Sequence, residues 1–346
     1  MTILNISNNR NNKIDLLRGI SIILVFLAHF GTYFKAPFFV SSNFIELLSR
    51  NGYLGVTIFF TISGFLITSH YAKSDQSIST FYKKRLSKIY PPLLLLLLIN
   101  YFLGNFFVLF STGQYSLEYL YYKIFTYQFN LLYINGGNAL YAYAVLWSLA
   151  IEEVYYLFFP FLFKYLRTKL NIYLILIILI TIMSLRYFVG IKSIYSYFGC
   201  FDALLIGSVA GYISSNNISY INYIKKYLNI IYISLFLFYI SFDIKENFTW
   251  LPTLISILSA NFLLAASNMK NYSVRHSILN PIAIMGILSY EIYLFHLPLL
   301  AIYMDYNFLS FLPAEFALTV LMLLVSFISY LIYYFFSQKS YKLLLS

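Results

Sequence analysis

The sequence predicts an all-α polytopic membrane protein of about ten transmembrane helices, with both termini cytoplasmic. Three observations carry this. Of 346 residues, 61% are hydrophobic and only 10% charged, at a mean hydropathy of +0.76, a composition outside the range of soluble domains. The apolar residues are gathered into runs long enough to cross a hydrocarbon core of about 30 Å. The basic residues between those runs are distributed unequally on the two sides.

The runs span about 14–34, 52–70, 90–110, 140–164, 171–189, 197–215, 228–242, 250–268, 280–303 and 314–336. The seventh is short, with a partly re-entrant course as the alternative, and Glu152 and Glu153 interrupt the fourth. With the N-terminus inside, the inner side collects Arg10, Lys13, Arg18, Lys73, Lys83, Lys84, Arg85, Lys88, Lys164, Arg167, Lys169, Lys225, Lys226, Lys270, Arg275, Lys339 and Lys342. The outer side keeps Lys35, Arg50, Lys123, Arg186, Lys192 and Lys245. Seventeen against six, of 23 in all, is a strong positive-inside bias, and one helix more or fewer scrambles it. The whole chain, 1–346, reads as a single membrane domain, without a fixed-period repeat or a low-complexity linker.

The first run, Ile14 to Phe34, has a basic flank like a signal peptide. It is too long for an h-region and contains Arg18, so it reads as a retained helix. Arg18 and His29 are eleven residues apart, which places them on one helix face about 16 Å apart along the axis. A cation inside a spanning segment marks a functional site by default; snorkelling to the inner interface is the alternative for Arg18. The longest outer loop, about 111–139, ends in the turn signal Asn135-Gly136-Gly137-Asn138.

Composition also excludes. A net charge of +11 suggests nucleic acid only where a basic domain carries it, and here the cations lie in short loops, so no nucleic-acid partner is expected. The lone Cys200 rules out a disulfide framework and a thiolate cluster within the chain. No metal site is expected.

Counting about 1.5 Å per residue from the inner helix end puts Arg18 at about 6 Å depth, Ser63 about 10, Glu152 about 18, Asp202 about 20, His29 about 22 and His296 about 24 Å. A guanidinium thus stands near the cytoplasmic mouth, and two imidazoles and two carboxylates share the central and outer layer. Singly, each has a plain reading: His296 as a core histidine on a carbonyl, Asp202 and Arg186 as an ion pair, Ser63 beside Gly64 as a packing residue. Together, polar groups at similar depth in separate helices are costly unless they meet in a cavity. Such a cavity serves either an enzyme with histidine as general base or a proton-coupled transporter using Glu152 and the histidines as a relay. A transporter often shows internal repeats or paired broken helices, and the sequence displays neither. An enzyme with a large anionic cosubstrate needs a basic mouth, and the inner loop Phe81-Tyr82-Lys83-Lys84-Arg85-Leu86-Ser87-Lys88-Ile89-Tyr90-Pro91 supplies one.

In these residues the chain resembles the acyltransferase-three family of integral membrane O-acyltransferases. Arg18 and His29 match its basic-x10-His motif, and Gly55 to Leu66 is similar to its FFxxSGFL signature. Phe81 to Pro91 resembles RxxR-x-Tyr-Pro, and Trp147 to Tyr156 resembles WSLxxEExFY. Phe201 to Gly207 and Leu288 to His296 match later elements. Lys88 stands where the family has a second arginine, keeping the charge without the bidentate fork, and Val154-Tyr155 departs mildly from the family's pair. Because the sequence ends about ten residues after the last run, the extracytoplasmic hydrolase-like domain of some relatives is expected to be absent.

The resemblance implies transfer of an acyl group, usually acetyl, from cytoplasmic acyl-CoA to a hydroxyl of an extracytoplasmic or lipid-linked polysaccharide, at a bacterial cell membrane and alongside glycan-assembly proteins. It makes His29 the base, oriented or stabilised by Glu152, with Arg18 at the thioester carbonyl or pantetheine arm and His296 as a second imidazole. Lys83, Lys84, Arg85 and Lys88 would hold CoA phosphates. Ser63, Trp147, Asp202 and Arg186 are the expected substrate contacts, and Tyr290 and Tyr293 are read as packing or belt residues.

Overall fold

The computed structural model describes residues 10–33, 43–74, 76–104, 106, 115–135, 141–168, 172–189, 194–216, 218–267, 269, 280–306, 308–309 and 311–345. Lys35, Lys169, Lys192, Lys270 and Arg275 of the charge partition, and Gly136 to Asn138 of the turn signal, lie outside them. The described residues are helical, without a strand. In order they form α1 (Asn12–Tyr33), α2 (Asn43–Arg50), α3 (Leu54–Lys73), α4 (Ile78–Leu103), α5 (Leu117–Phe125), α6 (Phe129–Ile134), α7 (Leu146–Thr168), α8 (Ile172–Phe188) and α9 (Tyr197–Asn216). Then follow α10 (Ile218–Lys225), α11 (Leu228–Ser241), α12 (Leu251–Ser267), α13 (Asn280–Ile287), α14 (Ser289–Tyr306), α15 (Ala314–Ile332) and α16 (Gln338–Leu345).

Among the described residues, 6 helices are long and apolar enough to cross a membrane: α1, α3, α4, α7, α9 and the α15–α16 stretch. The run at 280–303 is not one straight helix. It breaks at Leu288, where the chain bends by 89° between α13 and α14. The runs in α8, α11 and α12 are shorter apolar helices; the 14 residues of α11 rise about 21 Å, less than a hydrocarbon core. Each of the ten runs has a helix in its described part, but among the described residues six continuous helices and one bent pair meet the length of a span. Large apolar side chains face outward, among them Leu98 on α4, Phe158 on α7, Ile233 on α11 and Phe327 on α15. Such surfaces suit lipid and would be a liability in water.

Two further differences follow from local chemistry. The basic stretch 81–91 is helix, because Ser77 caps α4 by accepting from the Thr80 amide and one continuous helix runs through Pro91 and Pro92. The prolines remove two amide donors. The Tyr290 hydroxyl donates to the nearby Ile89 carbonyl at 2.9 Å, tying α14 to α4. Likewise, residues 115–135 of the expected outer loop contain α5, capped by Ser116, and α6.

Close crossings set the frame. A Cβ on Gly64 would run into the Leu204 carbonyl, and one on Gly207 into the Thr61 carbonyl. α3 and α9 therefore cross backbone to backbone at reciprocal glycines, as small residues permit in membranes. α1 and α13 do the same through Gly19, against the Ile282 carbonyl, and Gly286, against that of Asp15. Packed this way, α1, α3, α7 and α14 turn their polar residues toward one interior.

Candidate active site

The long axis of the site is α1. Arg18 and His29 share its face, and the helix is unbroken between them. Around Arg18 three chambers meet. The inner chamber is lined by Arg18, Ser63, Ser148, Glu152, Ser289, Tyr290 and Tyr293 together with apolar residues of α3 and α7. The second, about 450 Å³, holds Arg18, Ser63, His70, Gln76, Lys84, Arg85, Lys88 and Tyr341. The third, about 260 Å³, holds Arg10, Arg18, Lys88, Tyr290, Glu291, Tyr333, Gln338 and Tyr341.

Glu152 lies within hydrogen-bonding reach of Ser63 and Tyr156, and Arg85 and Arg18 are cations that act on it. The Arg85 guanidinium sits 4.0 Å over the Tyr156 ring, a cation–π contact that orients it. Arg18 Nε donates to Ser289 Oγ at 3.2 Å. Gly64 carries the packing role read for the Ser63-Gly64 pair, and Ser63 itself faces the carboxylate. On α4, Lys84, Arg85 and Lys88 line the chamber, Lys88 standing three residues after Arg85 and four after Lys84. Lys83 is exposed and not among the chamber residues.

His29 does not meet Glu152. Its ring stands 5.0 Å from that of His296, with His29 Nδ1 3.1 Å from His296 Nε2. His296 Nδ1 lies 2.8 Å from the Tyr293 carbonyl and 3.1 Å from that of Ile292. His29 Nδ1 is also 3.0 Å from the Val25 carbonyl. The tautomers follow from these partners. A carbonyl only accepts, so Nδ1 of each ring carries the hydrogen. His296 Nε2 then accepts from His29, and His29 Nε2 is left with a bare lone pair. His29 keeps 6% exposure and His296 none.

Tyr293 couples this pair to the chamber. Its hydroxyl is 2.6 Å from Ser148 Oγ and donates to the Val145 carbonyl at 3.2 Å, while its own carbonyl holds His296. Tyr290 and Tyr293 therefore face the interior, Tyr290 also packing α14 on α4, rather than a belt. Ser148, Ser289 and Tyr293 line the inner chamber and Tyr156 lies under Arg85, and the sequence did not single them out for it. The signal was present: Ser148 and Tyr293 lie inside the motifs containing Glu152 and His296.

The other expected contacts stand elsewhere. Trp147 packs edge-on against Phe60, at 6.3 Å between rings, and Tyr195, at 5.1 Å. Arg186 and Asp202 are 0% and 1% exposed and pair at 2.6 Å. Arg186 also donates to Thr253 Oγ1 at 2.8 Å and the Gly199 carbonyl at 2.7 Å, and Thr253 donates to Asp202 at 2.5 Å. This network clamps α8, α9 and α12 together. Tyr155 reaches Ser208 at 2.6 Å, away from the carboxylates. Among the described residues, no group of three or more His, Cys, Asp or Glu is placed to hold a metal ion.

Imidazoles, a carboxylate and a guanidinium are thus gathered inside apolar helices beside a basic mouth. The chain belongs to the family described as an acyltransferase domain, which it matches over residues 11–331. It is 26% identical over 310 residues to the O-acetyltransferase OatA of Staphylococcus aureus, covering 80% of this chain and 51% of that protein. It is 27% identical over 320 residues to the peptidoglycan O-acetyltransferase OatA of Listeria monocytogenes, covering 84% and 49%. A Haemophilus influenzae protein without an assigned activity is 28% identical over 234 residues, covering 59% of this chain and 94% of its own length. The chain thus spans about half the length of the OatA relatives it matches. No solved structure matches it.

Proposed function

We propose that this protein moves an acetyl group from cytoplasmic acyl-CoA to a hydroxyl of an extracytoplasmic or lipid-linked glycan, through a ten-span bundle with both termini inside. The names of the OatA relatives support acetyl transfer to oxygen, and peptidoglycan in the Listeria case. The observation that carries the reading is the histidine pair, with its one bare nitrogen on His29, set beside a chamber whose far side is basic.

In this reading Lys84, Arg85 and Lys88 hold the donor phosphates by charge-assisted hydrogen bonds. The pantetheine arm passes Arg18, and Glu152 with Ser63 positions it. The acceptor hydroxyl gives its proton to His29 Nε2 as its oxygen attacks the thioester carbonyl carbon. The new imidazolium keeps its Nδ1 hydrogen on His296 Nε2. The tetrahedral intermediate expels the CoA thiolate, which takes the proton back from His29 and leaves as CoA thiol. His296 acts as a positioning residue, because it touches His29 and not the reacting atoms.

The test is acetyl transfer from radiolabelled acetyl-CoA to a glycan acceptor in proteoliposomes. The expected result is transfer by the wild type and its loss in His29→Ala protein that still inserts and purifies. Near-normal product from His29→Ala overturns the assignment. Solute uptake without acyl transfer overturns the reaction class and favours proton-coupled transport.

A further inference from the structure

The two chambers at the basic mouth differ in charge. The larger is lined by Lys84, Arg85 and Lys88 and by no carboxylate. The smaller contains Glu291, and its Arg10 is taken up by Asp15 at 2.7 and 3.1 Å. Phosphates belong in the first, where no carboxylate stands on the wall and Lys84, Arg85 and Lys88 gather on one face. The second offers a weaker field, phenol rings and an amide, a setting for a neutral aromatic group. Tyr341, Lys88 and Arg18 line both, so one ligand can occupy the two together.

The wall of the smaller chamber comes from the chain's last described segment. A π turn at Tyr333–Ser337 joins α15 to α16, and Tyr333, Ser337, Gln338 and Tyr341 all face the chamber. π turns are rare and recur at ligand sites. α16 buries none of its own residues, yet it packs on α4, the helix that carries the basic face. All of these residues lie beyond 331, where the family match ends.

We propose that α16 completes the donor site, with Tyr341 stacking on the adenine of a nucleotide-bearing acyl donor and Gln338 pairing with its edge. A tyrosine face takes any base by stacking. A glutamine amide presents the donor–acceptor pair that matches adenine N7 and the N6 amino group. The inference rests on the acyl-CoA reading above and deepens it.

The experiment compares two donors on purified full-length protein: acetyl-CoA and S-acetyl-N-acetylcysteamine, which keeps the thioester but has no nucleotide. Tyr341→Ala and Gln338→Ala are expected to raise KM for acetyl-CoA by about 10-fold or more, from the strength of base–aromatic stacking. In the same variants kcat and the kinetics with the short thioester stay at wild-type values, and Tyr341→Phe retains acetyl-CoA binding. An unchanged acetyl-CoA KM in Tyr341→Ala overturns the inference alone. So does an equal KM rise for both donors, which marks a folding defect. A wild type that turns over the short thioester but not acetyl-CoA overturns the CoA reading, and the inference with it.

Discussion

His29 Nδ1 and His296 Nε2 lie 3.1 Å apart, joining the first spanning helix to the helix that follows the 89° bend. The pair is ordered by backbone carbonyls at both ends, so its hydrogens run in one direction and leave the basic nitrogen on His29. The bend at Leu288 matters here. It lets α13 lie against α1 at Gly19 and Gly286 while α14 turns to bring Tyr293 and His296 into the interior.

The two histidines should therefore respond differently. His29→Ala is expected to abolish transfer. His296→Ala removes the acceptor that holds the His29 hydrogen, and kcat should fall by about 10²-fold, within the range of general-base contributions, with KM for the donor unchanged. His296→Gln keeps an acceptor near the Nε2 position and should recover part of the rate. Steady-state kinetics with a melting curve in detergent check this. A melting-point loss that outweighs the rate loss would make His296 structural.

Much of this arrangement was legible in the sequence, and the reasons are specific. Helical spacing put Arg18 and His29 on one face, because α1 is regular over that stretch. The depth count that put His296 in the layer of His29 assumed a straight run from 280 and so crossed the 89° bend at Leu288. The partner of His29 was not legible. Depth gives no rotation, and only the packing of α14 after its bend decides that His296, not Glu152, stands beside it. The helical state of 81–91 was hidden by its cations, which interrupt the hydropathy that marks a run and so read as a loop ahead of the run at 90, although one continuous helix contains both. Tyr290 and Tyr293 were lost among 36 tyrosines, where composition argues for an interfacial belt.

The basic face of α4 predicts a graded donor defect. Lys84, Arg85 and Lys88 line the mouth and Lys83 does not, so Arg85→Ala and Lys88→Ala should raise KM for acetyl-CoA by about 10-fold each. That corresponds to about 1.5 kcal/mol, the lower end for hydrogen bonds to charged groups. Lys83→Ala should move KM far less. KM should rise with salt in every protein, and the defects relative to wild type should shrink, because salt screens the charge that each substitution removes. Initial rates at two ionic strengths check this. An equal effect of all these substitutions would indicate a diffuse field rather than a built mouth.

Gly64 and Gly207 test the frame. Each meets a backbone carbonyl of the other helix, and backbone cannot swing aside as a side chain can. Gly64→Ala and Gly207→Ala should each destabilise by about 1–3 kcal/mol, the usual range for overpacking. The double variant should cost less than the sum, because separating α3 from α9 relieves both clashes. Thermal unfolding in detergent, read by static light scattering, measures this. Wild-type melting of Gly64→Ala would refute the close crossing.

The last prediction concerns Arg186 and Asp202, expected from the sequence as substrate contacts or as an ion pair. Their pair is fully enclosed and shared with Thr253, and neither residue lines the chambers around Arg18. Removing one partner strands a buried charge, so Arg186→Met or Asp202→Leu alone should cost about 3–5 kcal/mol. Replacing both with Met and Leu of similar bulk should recover most of that loss, because apolar packing substitutes for a buried pair. The decisive measurement is the kinetics of the double variant after purification. A clamp predicts wild-type KM for donor and acceptor once the protein is folded. A rise in acceptor KM in a double variant of normal melting temperature would return both residues to the substrate site.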